Sequence, residues 1–207
     1  MKELLNIKFD IYDYITNKII FYFEKNLEFD DIEKEKLYLG IISILINVIK
    51  TSLICLIALI TGCLKETLFM ILVFFCLRVT AAGLHAKSNF DCTIISLIAY
   101  IGGSNLAIYM PINRGGIIIC ILLTIALYKY SPADTSNKPI IGKEVRKKLK
   151  LKTLKTAIIF LTLNLITLNI KLVNLTMYAM LFQVISILPI TYKLLKRSYN
   201  NYERYEN

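Results

Sequence analysis

The sequence predicts an all-α, polytopic integral membrane protein with about six transmembrane or membrane-embedded helices and an N-terminal amphipathic helix. The chain of 207 residues is 56% hydrophobic, which is too apolar for an ordinary soluble domain of this length. Apolar runs close to the ~20 residues that a bilayer requires recur from residue 39 onward. Most lysines and arginines lie outside these runs, as expected for the loops and tails of a membrane protein.

One amphipathic helix is predicted within the N-terminal region, residues 1–38. Apolar residues recur at helical spacing between Asn6 and Phe23, with charged residues between them. This helix either lies on the cytoplasmic surface of the membrane or packs on the rest of the protein. Charges of both signs occur throughout the region, so it does not resemble a signal peptide, and we expect the N-terminus to be cytoplasmic.

Six apolar segments within residues 39–195 predict the helical bundle. They cover residues 39–60, 64–80, 93–110, 115–129, 154–170 and 172–190. Several are near the lower length limit for a span, so full crossing by the fourth segment is an open question. Gly102, Gly103 and Ser104 in the third are suited to close helix contacts. We expect the whole chain, 1–207, to form a single membrane domain with a short tail, 196–207.

The charge distribution predicts the orientation in the membrane. A basic loop is expected at 131–152, and the positive-inside rule puts it in the cytoplasm. Six crossings then leave both termini and the segment from His85 to Cys92 on the same cytoplasmic side. The first segment also carries Lys50 near its centre, which would be costly against lipid. A non-catalytic scaffold or a transporter-like protein is therefore an alternative.

The five cysteines do not suggest a disulfide framework or a zinc site, because their number is odd and their spacing is irregular. Four lie in or beside apolar runs, where cysteine behaves as a small hydrophobic residue. Cys92 alone lies among polar residues, seven positions after His85, the only histidine of the chain. A thiolate and an imidazole are the minimum for cysteine catalysis.

The spacing of His85 and Cys92 requires a bend between them. In a continuous helix seven residues rise about 10.5 Å, whereas a catalytic Cys–His pair needs contact at roughly 3 Å. We expect the break near residues 87–89 and a cap on the next helix from Ser88, Asn89 or Asp91. Cys92 would then lie in the first turn, where the helix dipole favours a thiolate and backbone N–H groups can stabilise an oxyanion.

Two residues before this pair have alternative roles. Arg78 could bind a substrate carboxylate or main chain, or could extend to the membrane interface. Gly83 could allow close backbone approach, or could simply loosen the helix end. From the residues alone, a lone interfacial histidine beside an ordinary cysteine is also a possible interpretation. Another membrane thiol enzyme, such as an acyltransferase, is a third.

Two separated motifs carry a family resemblance. Arg78, Gly83, His85, Ala86 and Cys92, followed by SPADTSNKPI at 131–140, resemble the accessory gene regulator B (AgrB) family. These are membrane cysteine endopeptidases of Gram-positive quorum sensing. The resemblance covers most of the chain except its first 35 residues. Ala82 is a departure, since many members have glycine there, and the backbone beside Gly83 is expected to be less free.

The resemblance implies a multi-pass enzyme of the bacterial cell membrane that removes the C-terminal tail of an AgrD-like propeptide. Cys92 would form a peptidyl thioester, His85 would act as general base and then acid, and Arg78 and Gly83 would be supporting residues. An internal cysteine or serine of the propeptide would then close a thiolactone or lactone ring. The resemblance also implies a homodimer, with no metal, cofactor or nucleic acid required.

Two further sets of residues are candidates for supporting roles. The basic residues Lys143, Arg146, Lys147 and Lys148 could dock the acidic tail of the propeptide, or could form an orienting loop on anionic lipid. Asp134 could orient His85, although a rigid capped turn at the start of the cytoplasmic loop is the alternative for that segment.

Overall fold

The computed structural model describes residues 2–25, 27, 29–84, 88–113, 115–136, 138–167 and 169–206, with side chains described from residue 12 onward. The regular structure of this part of the chain is α-helical, which confirms the predicted all-α class. In order, the helices are α1 (Lys2–Glu24), α2 (Asp31–Ile60), α3 (Leu64–Ala81), α4 (Asn89–Leu97), α5 (Gly103–Tyr109), α6 (Gly115–Tyr130), α7 (Lys143–Thr167), α8 (Ile170–Ile187), α9 (Pro189–Leu194) and α10 (Glu203–Glu206).

Three segments of the described chain are long and apolar enough to cross a membrane. They are Asp31–Ile60, Asn89–Tyr109 and Ile170–Ile187, and the apolar helix α6 is shorter. Large apolar side chains on the outer surface of α6, such as Ile118, Leu122 and Ile125, are exposed in the isolated chain. An apolar exterior of this kind fits a lipid environment. The count of six spans stays a prediction.

The backbone contacts divide the chain into two compact units, residues 1–56 and 57–207, and the boundary falls within α2. In the first unit, α2 begins with a capping box: the backbone N–H of Glu33 donates to Asp30 Oδ1 at 2.6 Å, and that of Asp30 donates to Glu33 Oε2 at 3.2 Å. Lys34 pairs with Glu24 at 2.5 Å, which ties the start of α2 to the end of α1. The single membrane domain expected for 1–207 stays a prediction.

Helix α8 is the centre of the second unit, because α3, α5, α6 and α7 all pack against it. Small residues allow these close contacts. A side chain at Gly103 would meet Met70 Cε at 2.7 Å, and one at Gly116 would meet Val173 Cγ1 at 3.1 Å. Asn174 of α8 binds both the N–H and the carbonyl of Ile112 at 2.9 Å, so it fixes the connection between α5 and α6.

The predicted third segment, residues 93–110, is helical but not uniform. A π-helical turn over Ile98–Gly102 separates α4 from α5. Gly103 and Ser104 follow it, and both are buried; Ser104 Oγ lies 3.1 Å from Thr67 Oγ1 of α3. The close helix contacts predicted for this glycine-containing stretch are therefore confirmed at Gly103 and Ser104.

Helix α7 begins at Lys143, so residues 143–152, which we expected in a basic loop, form its first turns instead. The physical reason is local, since Lys, Leu, Arg and Glu are good helix formers and no glycine or proline interrupts them. The non-helical connection between α6 and α7 covers residues 131–142. The basic side chains consequently lie on a helix at fixed spacing.

The C-terminal segment is fastened to this end of the bundle by carboxylates. Arg146 donates to both oxygens of Glu206, at 2.7 and 2.8 Å, and its guanidinium lies 3.8 Å from the centre of the Tyr202 ring. The N–H of Gly142 also donates to Glu206 at 2.6 Å. Asp134, which is 3% exposed, accepts from the backbone N–H groups of Asn201 and Tyr202 at 2.9 and 2.8 Å.

The Arg146–Glu206 pair predicts release of the C-terminal segment in acid. Hydrogen bonds from Arg146 and from Gly142 lower the pKa of Glu206 to about 2. A lowered pKa means that the ionised form is stabilised in the folded chain, so the contribution is complete above the unfolded pKa of about 4.3. This stabilising contribution of ionised Glu206 decreases as the pH falls from about 4.5 towards 2, because the carboxylate becomes protonated.

Pepsin digestion between pH 5 and pH 2, with the cut sites identified by mass spectrometry, measures this release. The wild type should be protected in residues 203–206 at pH 5, whereas Glu206→Gln, which keeps only the Asp134 contacts to residues 201 and 202, should be cut there faster at pH 5. Dividing the cutting rate of Glu206→Gln by that of the wild type at each pH removes the pH dependence of pepsin itself. Glu203→Gln, in the same short helix, is the control and should behave like the wild type. Equal cutting of wild type and Glu206→Gln at pH 5 would contradict the role of this pair.

Candidate functional site

Helix α3 ends at Ala81 and α4 begins at Asn89 after the extended residue Ser88, so no continuous helix joins His85 to Cys92, as the predicted bend requires. The break starts earlier than the expected positions 87–89. Ala82 has φ 52° and ψ −138°, and Gly83 has φ 119°, so both residues occupy backbone conformations that favour glycine. The chain therefore turns sharply just before His85, which itself lies outside the described residues.

Arg78 determines how this turn is held. Its guanidinium donates to three consecutive carbonyls, those of Ala82 at 2.9 Å, Gly83 at 3.0 Å and Leu84, and also to Ser186 Oγ at 2.9 Å. The guanidinium is planar and carries five donors, which suits it to bind several carbonyls that no helix satisfies. Neither of the two roles predicted for Arg78, substrate binding or extension to the interface, is needed to explain this arrangement.

The second motif pairs directly with the first. The N–H of Ala133 donates to Ala81 O at 3.0 Å, and the N–H of Gly83 donates to Ala133 O at 2.8 Å. A second short pairing closes the following turn, where Thr135 and Lys138 exchange backbone hydrogen bonds of 3.4 and 3.0 Å. A hydrogen-bonded turn is thus present in this segment, and the pairing of Ala133 supports the strand-like backbone beside Gly83. That the turn is rigid and capped stays a prediction.

Helix α8 completes the turn through two polar residues that sequence reasoning missed. Gln183 Nε2 donates to Ala82 O at 2.8 Å, and the carbonyl of Ser186 accepts from Leu84 N–H at 2.9 Å. Both are polar residues in the apolar C-terminal half of α8, three positions apart, and so lie on one face. That spacing is the signal that could have identified them.

Cys92 lies in the first turn of α4, as predicted. Ser88 is the N-cap: its side chain accepts from Asp91 N–H at 3.0 Å, and its carbonyl accepts from Cys92 N–H at 3.1 Å. Cys92 is partly buried. The separation of Cys92 from His85 falls outside the described part of the chain.

The other candidate residues lie near this end of the bundle. Thr153 of α7 donates to Thr80 of α3 at 3.0 Å, so the basic first turns of α7 end beside the end of α3. Lys143, Lys147 and Lys148 are exposed, whereas Arg146 is bound to Glu206. Both carboxylate oxygens of Asp134 accept hydrogen bonds from residues 201 and 202, and its role as an orienter of His85 stays a prediction.

Comparison with known proteins identifies the family. The family model for accessory gene regulator B matches residues 16–187. The chain belongs to the AgrB family. An AgrB-like protein of Clostridium acetobutylicum is 36% identical over 183 residues, which is 88% of both chains. An AgrB-like protein of Listeria monocytogenes serovar 1/2a is 41% identical and covers 83% of this chain and 84% of its own.

The accessory gene regulator protein B of Staphylococcus aureus (strain MRSA252) is 30% identical over 186 residues, covering 87% of this chain and 97% of its own. No solved structure matches the chain significantly. Membership in the AgrB family supports a role in the accessory gene regulator system of quorum sensing. The apolar helices and the family together support association with the membrane.

Gly83 of this AgrB protein has no space for a side chain. A Cβ atom there would lie 2.6 Å from Arg78 Nη1, 2.8 Å from Ser186 Oγ and 2.9 Å from Ser186 O. The last of these is backbone, so relief requires α8 itself to move. Gly83 thus permits close backbone approach, the first of the two roles considered for it, and its positive φ adds a second reason for glycine.

The two residues of the turn predict opposite effects on stability. Gly83→Ala combines overpacking with backbone strain, so it should lower the free energy of unfolding by about 2–4 kcal/mol. Ala82→Gly should raise it by about 1 kcal/mol, because the positive φ of Ala82 is no longer strained. Thermal unfolding of the purified protein in detergent measures both changes.

Gly40→Ala is the matched control, since nothing lies within 4 Å of the position and it is inside a helix. It should stabilise the protein slightly. Gly83→Ala with the stability of Gly40→Ala would contradict the close approach described above, and a destabilised Ala82→Gly would contradict the strain at Ala82.

Proposed function

We propose that this AgrB-family protein is a membrane cysteine endopeptidase that removes the C-terminal tail of an AgrD-like propeptide and promotes its cyclisation. Cys92 is the nucleophile, and His85 is the general base and then the general acid. Arg78 and Gly83 shape the backbone that leads into His85. The substrate class comes from the family, and the assignment of roles comes from the motif residues and their surroundings.

One observation supports the proposal most strongly. Hydrogen bonds hold the backbone up to Leu84, immediately before His85, and Ser88 is the N-cap of the helix that carries Cys92. Residues 85–87 lie between these two points in the sequence. The candidate base therefore follows a hydrogen-bonded turn and the candidate nucleophile lies in a capped first helical turn, and such defined backbone elements suit a near-attack geometry.

The reaction proceeds through a thioester. His85 accepts the proton of the Cys92 thiol as the sulfur attacks the scissile carbonyl carbon, and it returns that proton to the amine of the leaving tail as the C–N bond breaks. A cysteine thiol or serine hydroxyl within the propeptide then attacks the thioester carbon. The new thioester or ester bond closes the ring, and the sulfur of Cys92 leaves and regains a proton.

Ring closure needs a site from which water is excluded. Exchange of one thioester for a thiolactone is nearly balanced in free energy, so hydrolysis of the acyl-enzyme would end the reaction without a ring. A site at the end of a helical bundle, covered by apolar helices and by the substrate, keeps the acyl-enzyme dry. We place this site on the cytoplasmic face of a six-span protein with cytoplasmic termini, which acts as a homodimer.

The exposed lysines on the first turns of α7 are the proposed dock for an acidic substrate tail. Lys143, Lys147 and Lys148 project from a helix whose Thr153 contacts the end of α3 beside the proposed site. Arg146 already binds a carboxylate of its own chain, so it is not part of this dock. A cluster of like charge on one helix raises the local concentration of an oppositely charged segment.

Replacement of the nucleophile tests the reaction. Cys92→Ala, co-expressed with an AgrD-like propeptide, should abolish cleavage, and His85→Ala should reduce it by about 10²- to 10⁴-fold. Mass spectrometry of the intact wild-type protein should detect a propeptide adduct that Cys92→Ala lacks. The control is Cys55→Ala, which removes another partly buried cysteine. Cleavage that survives Cys92→Ala would exclude this nucleophile, and transfer of the adduct to a separate acceptor would indicate an acyltransferase.

Charge reversal tests the dock. Lys147→Glu with Lys148→Glu should raise the KM for the propeptide by about tenfold at low salt, with a smaller effect at high salt because surface charges are screened. Lys193→Glu with Lys196→Glu is a matched reversal at two other exposed lysines and should leave KM unchanged. Membrane insertion should be equal in all variants. An identical KM in the two double variants would contradict docking on α7.

A further inference from the structure

Helix α8 contributes two polar side chains to the turn before His85, although they lie about one hundred residues away in the sequence. Gln183 donates to Ala82 O at 2.8 Å, and Ser186 Oγ accepts from Arg78 Nη1 at 2.9 Å. We propose that Gln183 and Ser186 are positioning residues, which hold the backbone of Ala82–Leu84 so that the His85 that follows is correctly placed. This inference rests on the proposed reaction of Cys92 and His85.

Packing does not explain why residue 183 has a polar side chain. It is fully buried in an apolar helix at the centre of the bundle, and its Oε1 has no hydrogen-bond partner in the described structure. Burying an amide with one unsatisfied end is unfavourable, and a leucine or methionine would fill the same volume without that cost. The hydrogen bond from Gln183 Nε2 to Ala82 O is an interaction with the turn that an apolar residue cannot make.

Ser186 directs Arg78 as well as the backbone. Its hydroxyl donates to Gln183 O at 2.8 Å, which leaves a lone pair of Oγ facing the guanidinium of Arg78. Its own carbonyl accepts from Leu84 N–H at 2.9 Å. The absence of a side chain at Gly83 is what allows this part of α8 to come so close. Ser186 consequently fixes the turn directly at Leu84 and indirectly through Arg78.

Gln183 and Ser186 are proposed to determine the position of His85 and to take no part in the chemical steps. Neither α8 side chain is proposed to touch the substrate, so neither is a catalytic residue. Their loss would let the carbonyl of Ala82 and the guanidinium of Arg78 shift, and His85 follows two residues after Gly83. A misplacement of about 1 Å in a reacting group can cost roughly 10²-fold in rate. Substrate affinity should be little affected, because the substrate dock is elsewhere.

Single-turnover kinetics of the full chain in lipid nanodiscs, with a synthetic propeptide, test the inference. Gln183→Met and Ser186→Ala should slow formation of the Cys92 adduct by about 10- to 100-fold, with KM within about twofold of the wild type. The control is Thr176→Val, which removes another buried hydrogen bond of α8, the one from Thr176 to Asn164 at 3.3 Å. Its rate should lie within about twofold of the wild type.

Two results distinguish a failure of the proposed function from a failure of this inference. A wild type without Cys92-dependent adduct formation would overturn the proposed function, and this inference with it. A Cys92-dependent wild type whose Gln183→Met and Ser186→Ala variants match Thr176→Val would overturn the inference alone. Hydrogen exchange at Gly83 and Leu84 should increase in both α8 variants and not in the control, which detects loosening of the turn even if a variant has little activity.

A double-mutant cycle distinguishes positioning from general loss of stability. If Ser186 acts through Arg78, the rate of Arg78→Lys should fall little further when Ser186→Ala is added, because both changes disrupt one network. The effects of Arg78→Lys and Thr176→Val should instead multiply. Multiplicative effects for Arg78→Lys and Ser186→Ala would overturn the proposed coupling.

Discussion

Arg78 satisfies three consecutive backbone carbonyls at the point where α3 ends, and the arrangement of this end of the bundle depends on that contact. A chain that leaves a helix within a membrane protein exposes carbonyls that neither lipid nor an apolar core can satisfy. Water would normally satisfy such carbonyls, but in the proposed reaction water near a peptidyl thioester would hydrolyse it. A guanidinium supplies hydrogen-bond donors and is not a nucleophile, so Arg78 satisfies the carbonyls in a way that is compatible with the proposed reaction.

The two family motifs have different physical roles in this arrangement. The first carries the proposed nucleophile and base, while the second pairs with it through the backbone of Ala133. Asp134 then connects the second motif to the C-terminal segment, and Arg146 holds that segment through Glu206. The basic residues at the start of α7 therefore differ in their contacts, since Arg146 is paired with Glu206 of the same chain whereas the neighbouring lysines face solvent.

The parts of the fold that the sequence could predict are those governed by local chemistry. Apolar segment lengths locate most helices, and the polar residues Ser88, Asn89 and Asp91 predict a cap that puts Cys92 in a first turn; Ser88 is the cap that the structure shows. Residues 143–152 are predicted as part of a loop from their charge, yet they form the first turns of α7 because most of them are strong helix formers. The contact of Arg78 with Ser186 could not be predicted, because Ser186 is 108 positions away and only the packed bundle brings the two together.

The turn before His85 also explains why the site includes α8. Ala82 holds a backbone conformation that costs an alanine free energy, and such strain persists only where surrounding contacts determine the backbone. The pairing with Ala133 fixes one side of the turn, but the atoms that exclude a side chain at Gly83 belong to Arg78 and Ser186. Helix α8 is also the helix on which α3, α5, α6 and α7 pack, so the atoms that bound this turn belong to the centre of the second unit. The geometry before His85 is therefore a property of the whole bundle, and the two motif segments would not reproduce it alone.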